Sequence, residues 1–252
     1  MAQAHEELVL FAKTLLRERY DEFAAMLAEF EKSDRKTFVR KHRKLFDTAV
    51  FDTDEYDDIG EETLFLGFAI QAKRMFYADW AGEEYPGQVK RSVTNMLGNH
   101  AESAFKWDSK KFEAAQDFST LKRGEYLPLL FHAMDKKLET LGYRIAIFDN
   151  MSDTYYFCLL TVNDMQLVNG LQTEKFSIHD TKIYAAYLTD KGLEGGKMLL
   201  YLKNKFSIPL NEVRAFAAQP EILLIKGNLI TVTREKAEIE KIGGKVRINE
   251  IG

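Results

Sequence analysis

Between residues 5 and 32, apolar side chains recur three or four positions apart at Leu8, Phe11, Ala12, Leu15 and Leu16, then at Phe23, Met26, Leu27 and Phe30. That spacing predicts one long or two short amphipathic helices. Ser33-Asp34 supplies an N-cap for a third helix, whose apolar face holds Phe38, Leu45 and Phe46 and whose polar face holds Arg35, Lys36, Arg40, Lys41, Arg43 and Lys44. Residues 61–73 form a short apolar run that fits a helix or a buried strand, and we read it as a helix. Residues 75–80 alternate and are aromatic, which predicts a strand; 82–87 read as a turn and 88–97 as a short helix. The segment 98–123 is poorly patterned.

Residues 126–141 predict a helix with Pro128 in its first turn, where a missing N–H is harmless, and Gly142 just past its end. Two β-branched and aromatic runs follow, 143–149 and 154–162, joined by Asn150-Met151-Ser152-Asp153, and they predict a hairpin. A short helix is expected at 163–171. Apolar periodicity stops in the polar segment 172–180, which we take as a domain boundary, and a new pattern starts at Lys182. It runs strand 182–188, helix 195–205, helix 209–218, a short extended piece 222–225, helix 233–242 and strand 245–251. The expected fold class is α+β: an N-terminal helical and small-sheet domain over 1–175, then a small β-α-α-β-α-β domain over 181–252 with three helices on one face of an antiparallel sheet.

Composition narrows the class. Hydrophobic residues make up 46% and charged residues 29% of the 252 positions, enough apolar content to bury a real core. The lone cysteine, Cys158, excludes an internal disulfide and a thiolate metal cluster. The first residues lack the basic start and apolar stretch of a secretion signal, and no apolar run approaches the roughly 20 residues of a membrane span, so a cytosolic protein with no membrane partner is expected. Residues 1–180 carry 23 Lys/Arg against 31 Asp/Glu, and residues 181–252 carry 12 against 8. An acidic larger part disfavours nucleic acid, whose phosphates need a positive surface, and favours a partner protein with a basic one.

The second pattern resembles the C-terminal domain of the bacterial ribosomal stalk protein family. The carrying residues are Lys197-Met198-Leu199-Leu200-Tyr201-Leu202-Lys203, then Ile208-Pro209-Leu210-Asn211-Glu212-Val213-Arg214-Ala215-Phe216, then Gln219-Pro220, Lys226-Gly227 and Ile242-Gly243-Gly244-Lys245-Val246-Arg247-Ile248. The resemblance implies a helical pair that recruits translation GTPases, with Lys203 and Arg214 on the family's surface positions. Ser207 and Pro209 stand where that family has glycines beside the turn, and Glu235 stands where an aliphatic residue belongs. The first part resembles an uncharacterised bacterial domain family through Tyr77-Ala78-Asp79-Trp80-Ala81-Gly82-Glu83-Glu84 and residues 134–153, which implies a bacterial accessory protein and no mechanism.

Few constellations carry chemistry. Asp52, Asp54, Glu55, Asp57, Asp58, Glu61 and Glu62 form the densest acidic run; it lacks the glycine six positions into a calcium loop, and it suits a basic partner or plain solvation. The five histidines, His5, His42, His100, His132 and His179, include no pair at the spacing that places two ligands on one helical face, so neither metal nor cofactor is expected. Cys158 lies in an apolar run and reads as structural. Asp79, Glu83 and Glu84 are candidate acids for a hydrolase, and with Trp80 they equally suit a recognition surface. The expected function is that of a non-enzymatic protein-binding protein of the bacterial cytosol, an immunity or accessory protein. The alternatives are a ribosome- or translation-factor-associated protein and an unrecognised hydrolase.

Overall fold

The runs at 143–149 and 154–162 become the two central strands of a four-stranded sheet in the computed structural model, which describes residues 2–48, 59–101, 104–116, 126–192 and 195–251. The chain divides into two compact units, Met1–Asp180 and Thr181–Gly252. In the first unit, β1 (Met75–Asp79), β2 (Tyr143–Asp149), β3 (Thr154–Thr161) and β4 (Ser177–His179) pair antiparallel in the order β1-β3-β2-β4. Helices cover both faces. Ala146, Phe148, Tyr156, Cys158 and Leu160 point into one core, built by α1 (Ala2–Leu16), α2 (Tyr20–Lys32), α3 (Arg35–Lys41), α4 (Arg43–Thr48), α5 (Glu61–Gln71) and α9 (Val162–Val168). Ile145, Ile147 and Phe157 point into the other, built with α6 (Gln88–Ala101), α8 (Tyr126–Glu139), Phe105 and Trp107. A strand buried on both sides has no reason to alternate, which is why β3 reads as an unbroken apolar run.

Helix α5 settles the ambiguity at 61–73. Residues 64–69 are all buried, so no polar face marks the period. Gly67 is there because α4 comes close: a Cβ at this position would sit 2.8 Å from the Leu45 carbonyl oxygen. Asp34 caps α3 by accepting from the Thr37 N–H at 2.9 Å. Helix α6 runs past its expected end and breaks at Gly98, whose φ of 65 is open to glycine. The poorly patterned segment 98–123 holds a six-residue helix, α7 (Ser109–Ala114), started by the Asp108 side chain accepting from Lys111 N–H at 3.0 Å. The segment 172–180 belongs to the first unit, where β4 is buried and pairs with Ile147, Phe148 and Asp149, and the two units divide at its end, after Asp180.

The second unit is a three-stranded antiparallel sheet in the order β6-β5-β7, formed by β5 (Tyr184–Asp190), β6 (Ile222–Gly227) and β7 (Lys245–Glu250). Three helices gather over one face: α10 (Gly195–Phe206), α11 (Val213–Ala217) and α12 (Leu229–Lys241). Ala186, Leu188, Ile222, Leu224 and Val246 from the strands meet Met198, Leu202, Val213, Val232 and Ile239 from the helices in one core. Helix α11 is shorter than the expected 209–218, because Pro209 opens a separate turn whose carbonyl accepts from Glu212 and Val213. Helix α12 starts four residues before the expected 233, where Asn228 caps it by accepting from Thr231 N–H at 2.8 Å.

Candidate functional site

Helix α10 ends in a left-handed residue. Ser207 has φ 53, and the next N–H, from Ile208, reaches back to the Lys203 carbonyl at 3.0 Å, closing the last turn. The reversal brings α11 beside α10, and Phe206 packs against Phe216 with the rings tilted and their centroids 5.1 Å apart. Met198, Leu202, Val213 and Ala217 face the core, so the outer sides of the two helices form the walls of a groove of about 510 Å³. Leu199, Leu200, Leu210 and Val213 supply its apolar lining, and Lys203 and Arg214 its charge. Leu200 is 57% exposed and Leu210 is 73% exposed. Neither cation makes an ion pair or a side-chain hydrogen bond among the described residues. The two basic residues singled out in the sequence thus share one apolar groove.

Toward α12, the same helix carries a satisfied charge cluster. Lys205 Nζ lies 2.8 Å from Glu235 Oε1, and the Tyr201 hydroxyl donates to the same carboxylate. Glu235, the residue that breaks the aliphatic spacing of α12, is therefore a half-buried acceptor for two α10 side chains. Burial, helped by the nearby Glu238 charge, raises the Glu235 carboxyl above its ordinary range, and burial lowers the Lys205 ammonium.

The corner 79–84 of the first unit is built differently. The Asp79 carboxylate accepts from Ala81 N–H at 2.7 Å, and Trp80 N–H donates to the Asp153 carbonyl at 3.0 Å. Glu83 accepts from Gly87 N–H at 3.1 Å and Val89 N–H at 2.7 Å, two of the amides left unpaired where α6 begins. Gln88, buried, accepts from Glu84 N–H at 2.9 Å and donates to the Tyr77 carbonyl at 3.2 Å. Asp79 and Glu83 are occupied in holding backbone, while the Glu84 side chain is exposed. Burial first, and the Glu83 and Glu113 charges after it, push the Tyr126 hydroxyl up to about 12.

Asp52, Asp54, Glu55, Asp57 and Asp58 lie outside the described residues. Glu61 and Glu62, where a carboxylate favours the start of α5, pair with His5 at 2.8 Å and Lys175 at 3.2 Å. In the basic stretch of α3, Arg35 lies over the Phe30 ring and donates to the Phe30 carbonyl. Cys158 is fully buried, which pushes its thiol up, away from the reactive thiolate. Among the described residues, no helix is long and apolar enough to cross a membrane.

Taken as a class, this is an α+β protein whose larger unit is a sheet between two helical layers and whose smaller unit carries a grooved helix pair. The family described as a domain of unknown function, DUF6630, matches residues 19–176, and the chain belongs to it. The match leaves α1 and the whole second unit outside. No curated protein and no solved structure matches the chain, and nothing in these comparisons shows the stalk resemblance of the second unit.

Proposed function

We propose that this chain is a non-enzymatic protein-binding protein, an accessory or immunity protein of the bacterial cytosol, and that it docks its partner in the α10–α11 groove. The observation that carries this reading is the groove itself, where Leu200 and Leu210 are exposed beside Lys203 and Arg214, two cations with no ion pair among the described residues. Apolar side chains at the centre with charge at the rim are what a partner-binding surface needs. The groove asks for an apolar segment bearing carboxylates, the opposite of the basic partner that the acidic run at 52–62 suggests. The corner at 79–84 adds little to a hydrolase reading, since Asp79 and Glu83 are held by backbone amides.

A photo-crosslinking residue in place of Leu210, introduced in the native host, tests this reading. We expect a discrete crosslinked protein that disappears when Lys203 and Arg214 are both changed to Glu. No crosslink, or one indifferent to that change, would remove the groove as the docking site.

The β-α-α-β-α-β order of the second unit favours a second reading, in which the partner is a ribosome-bound or translation factor, as the resemblance to the stalk family implies. Co-sedimentation with ribosomes at low salt that is lost in Lys203→Glu would support it. Absence of co-sedimentation at low salt would count against it.

A further inference from the structure

Three helices of the first unit bring together an imidazole and two carboxylates that lie far apart in sequence. His5 comes from α1, Glu31 from the last turn of α2 and Glu61 from the first turn of α5, and one ligand atom of each lies within 4.8 Å of the other two. His5 Nδ1 and Glu61 Oε2 are 2.8 Å apart, and His5 and Glu61 are both half-buried. Glu31 makes no hydrogen bond or ion pair among the described residues. The two carboxylates stand close enough to repel one another. A cation removes that repulsion by accepting a lone pair from each of the three groups.

We infer that His5, Glu31 and Glu61 form a binding site for a divalent transition ion of the zinc class. The imidazole selects this class over magnesium and calcium, which prefer oxygen alone. Donors at about 2.0–2.2 Å from a tetrahedral ion sit roughly 3.4 Å apart, a separation the partly exposed Glu31 and His5 side chains reach by rotation, with water in the fourth position. The ligands come from three helices, so the ion binds the folded chain and not the unfolded one. His5 lies outside the matched family segment and the two glutamates lie inside it, so the ion would fasten α1 onto the family domain. This inference does not depend on the docking groove, which lies in the other unit.

The test is equilibrium dialysis of the untagged, full-length chain against zinc chloride, with cobalt chloride as a spectroscopic probe and amide hydrogen exchange across α1. We expect one ion per chain, a visible cobalt band of the tetrahedral type, and slower exchange in α1 with zinc present. Binding should weaken at least tenfold in His5→Ala and in Glu31→Gln and stay unchanged in His100→Ala. Glu31 is exposed, so Glu31→Gln carries the test even where His5→Ala disturbs α1. No stoichiometric binding, or binding that survives both substitutions, would overturn the site.

Discussion

The two units solve the burial problem differently, and the difference bears on where a partner binds. The first has helices on both faces of its sheet and two cores, and its prominent polar groups serve the fold. Glu83 holds the start of α6, and Asp135, only 2% exposed, accepts from Arg144 and from Ile145 N–H. The second has one core on one sheet face, and its helices α10 and α11 do not turn every apolar residue inward. Leu200 and Leu210 stay in water, and the two cations beside them have no ion pair among the described residues. Exposed apolar side chains rimmed by charge are what a monomer normally avoids.

The comparison is broken hardest at Asp135. Its carboxylate takes two hydrogen bonds from Arg144, at 2.9 and 2.6 Å, and one from the Ile145 amide. Asp135→Ala takes from the largely buried Arg144 guanidinium its closest partner, leaving only the exposed Glu139 at 3.5 Å, and should cost about 3–5 kcal/mol. Both tryptophans, Trp80 and Trp107, lie in the first unit, so their fluorescence during denaturation reads this loss directly. A loss under 1 kcal/mol would show that Asp135 is not structural. Gly67→Ala comes next: the new methyl meets the Leu45 backbone, which cannot swing away as a side chain would, and about 1–3 kcal/mol should be lost.

The counterpart in the second unit is Glu235. Glu235→Ala strands the Lys205 ammonium, and circular dichroism should report a loss of roughly 1–3 kcal/mol, whereas Glu235→Leu with Lys205→Met should be close to neutral. The pH dependence has a definite sign. Burial raises the folded-state pKa of Glu235 above its unfolded value near 4.5, so the folded chain holds that proton more tightly. Relative to Glu235→Gln, the natural chain should therefore gain stability as pH falls from neutral toward 4.5, and keep that gain below it. A relative loss over this window would show that the ion pair with Lys205 outweighs burial.

Much of this fold could be read from local pattern. The hairpin of β2 and β3 and the start of α8 fall where the β-branched runs and Pro128 placed them, because each is signalled within a few residues. β4 was illegible for a tertiary reason. Ser177 and His179 are polar, yet β4 is an edge strand whose burial comes from packing within the unit, and propensity says nothing of that. The site residues divide in the same way. Lys203 and Arg214 were singled out through the resemblance to the stalk family, which implies that they fall on its surface positions. The cap formed by Glu83 spans six residues to Val89, outside the usual capping spacings, and the approach of His5 to Glu61 spans 56. A search for ligand pairs on one helical face misses donors contributed by separate helices.

The smallest stability effects fall in the groove, where they are most informative about function. Ser207 holds φ 53, a conformation that costs a residue with a Cβ about 1 kcal/mol or more, so Ser207→Gly should stabilise the second unit by roughly 0.5–1 kcal/mol. Lys203→Ala and Arg214→Ala should each change stability by less than about 0.5 kcal/mol, because neither side chain has an ion-pair partner to lose among the described residues. Together they should still reduce capture of the crosslinked partner at least tenfold. That separation of stability from binding would mark a surface kept for another molecule. If instead the double variant unfolds earlier and binds as before, Lys203 and Arg214 belong to the fold, and the groove is only the exposed side of a small core.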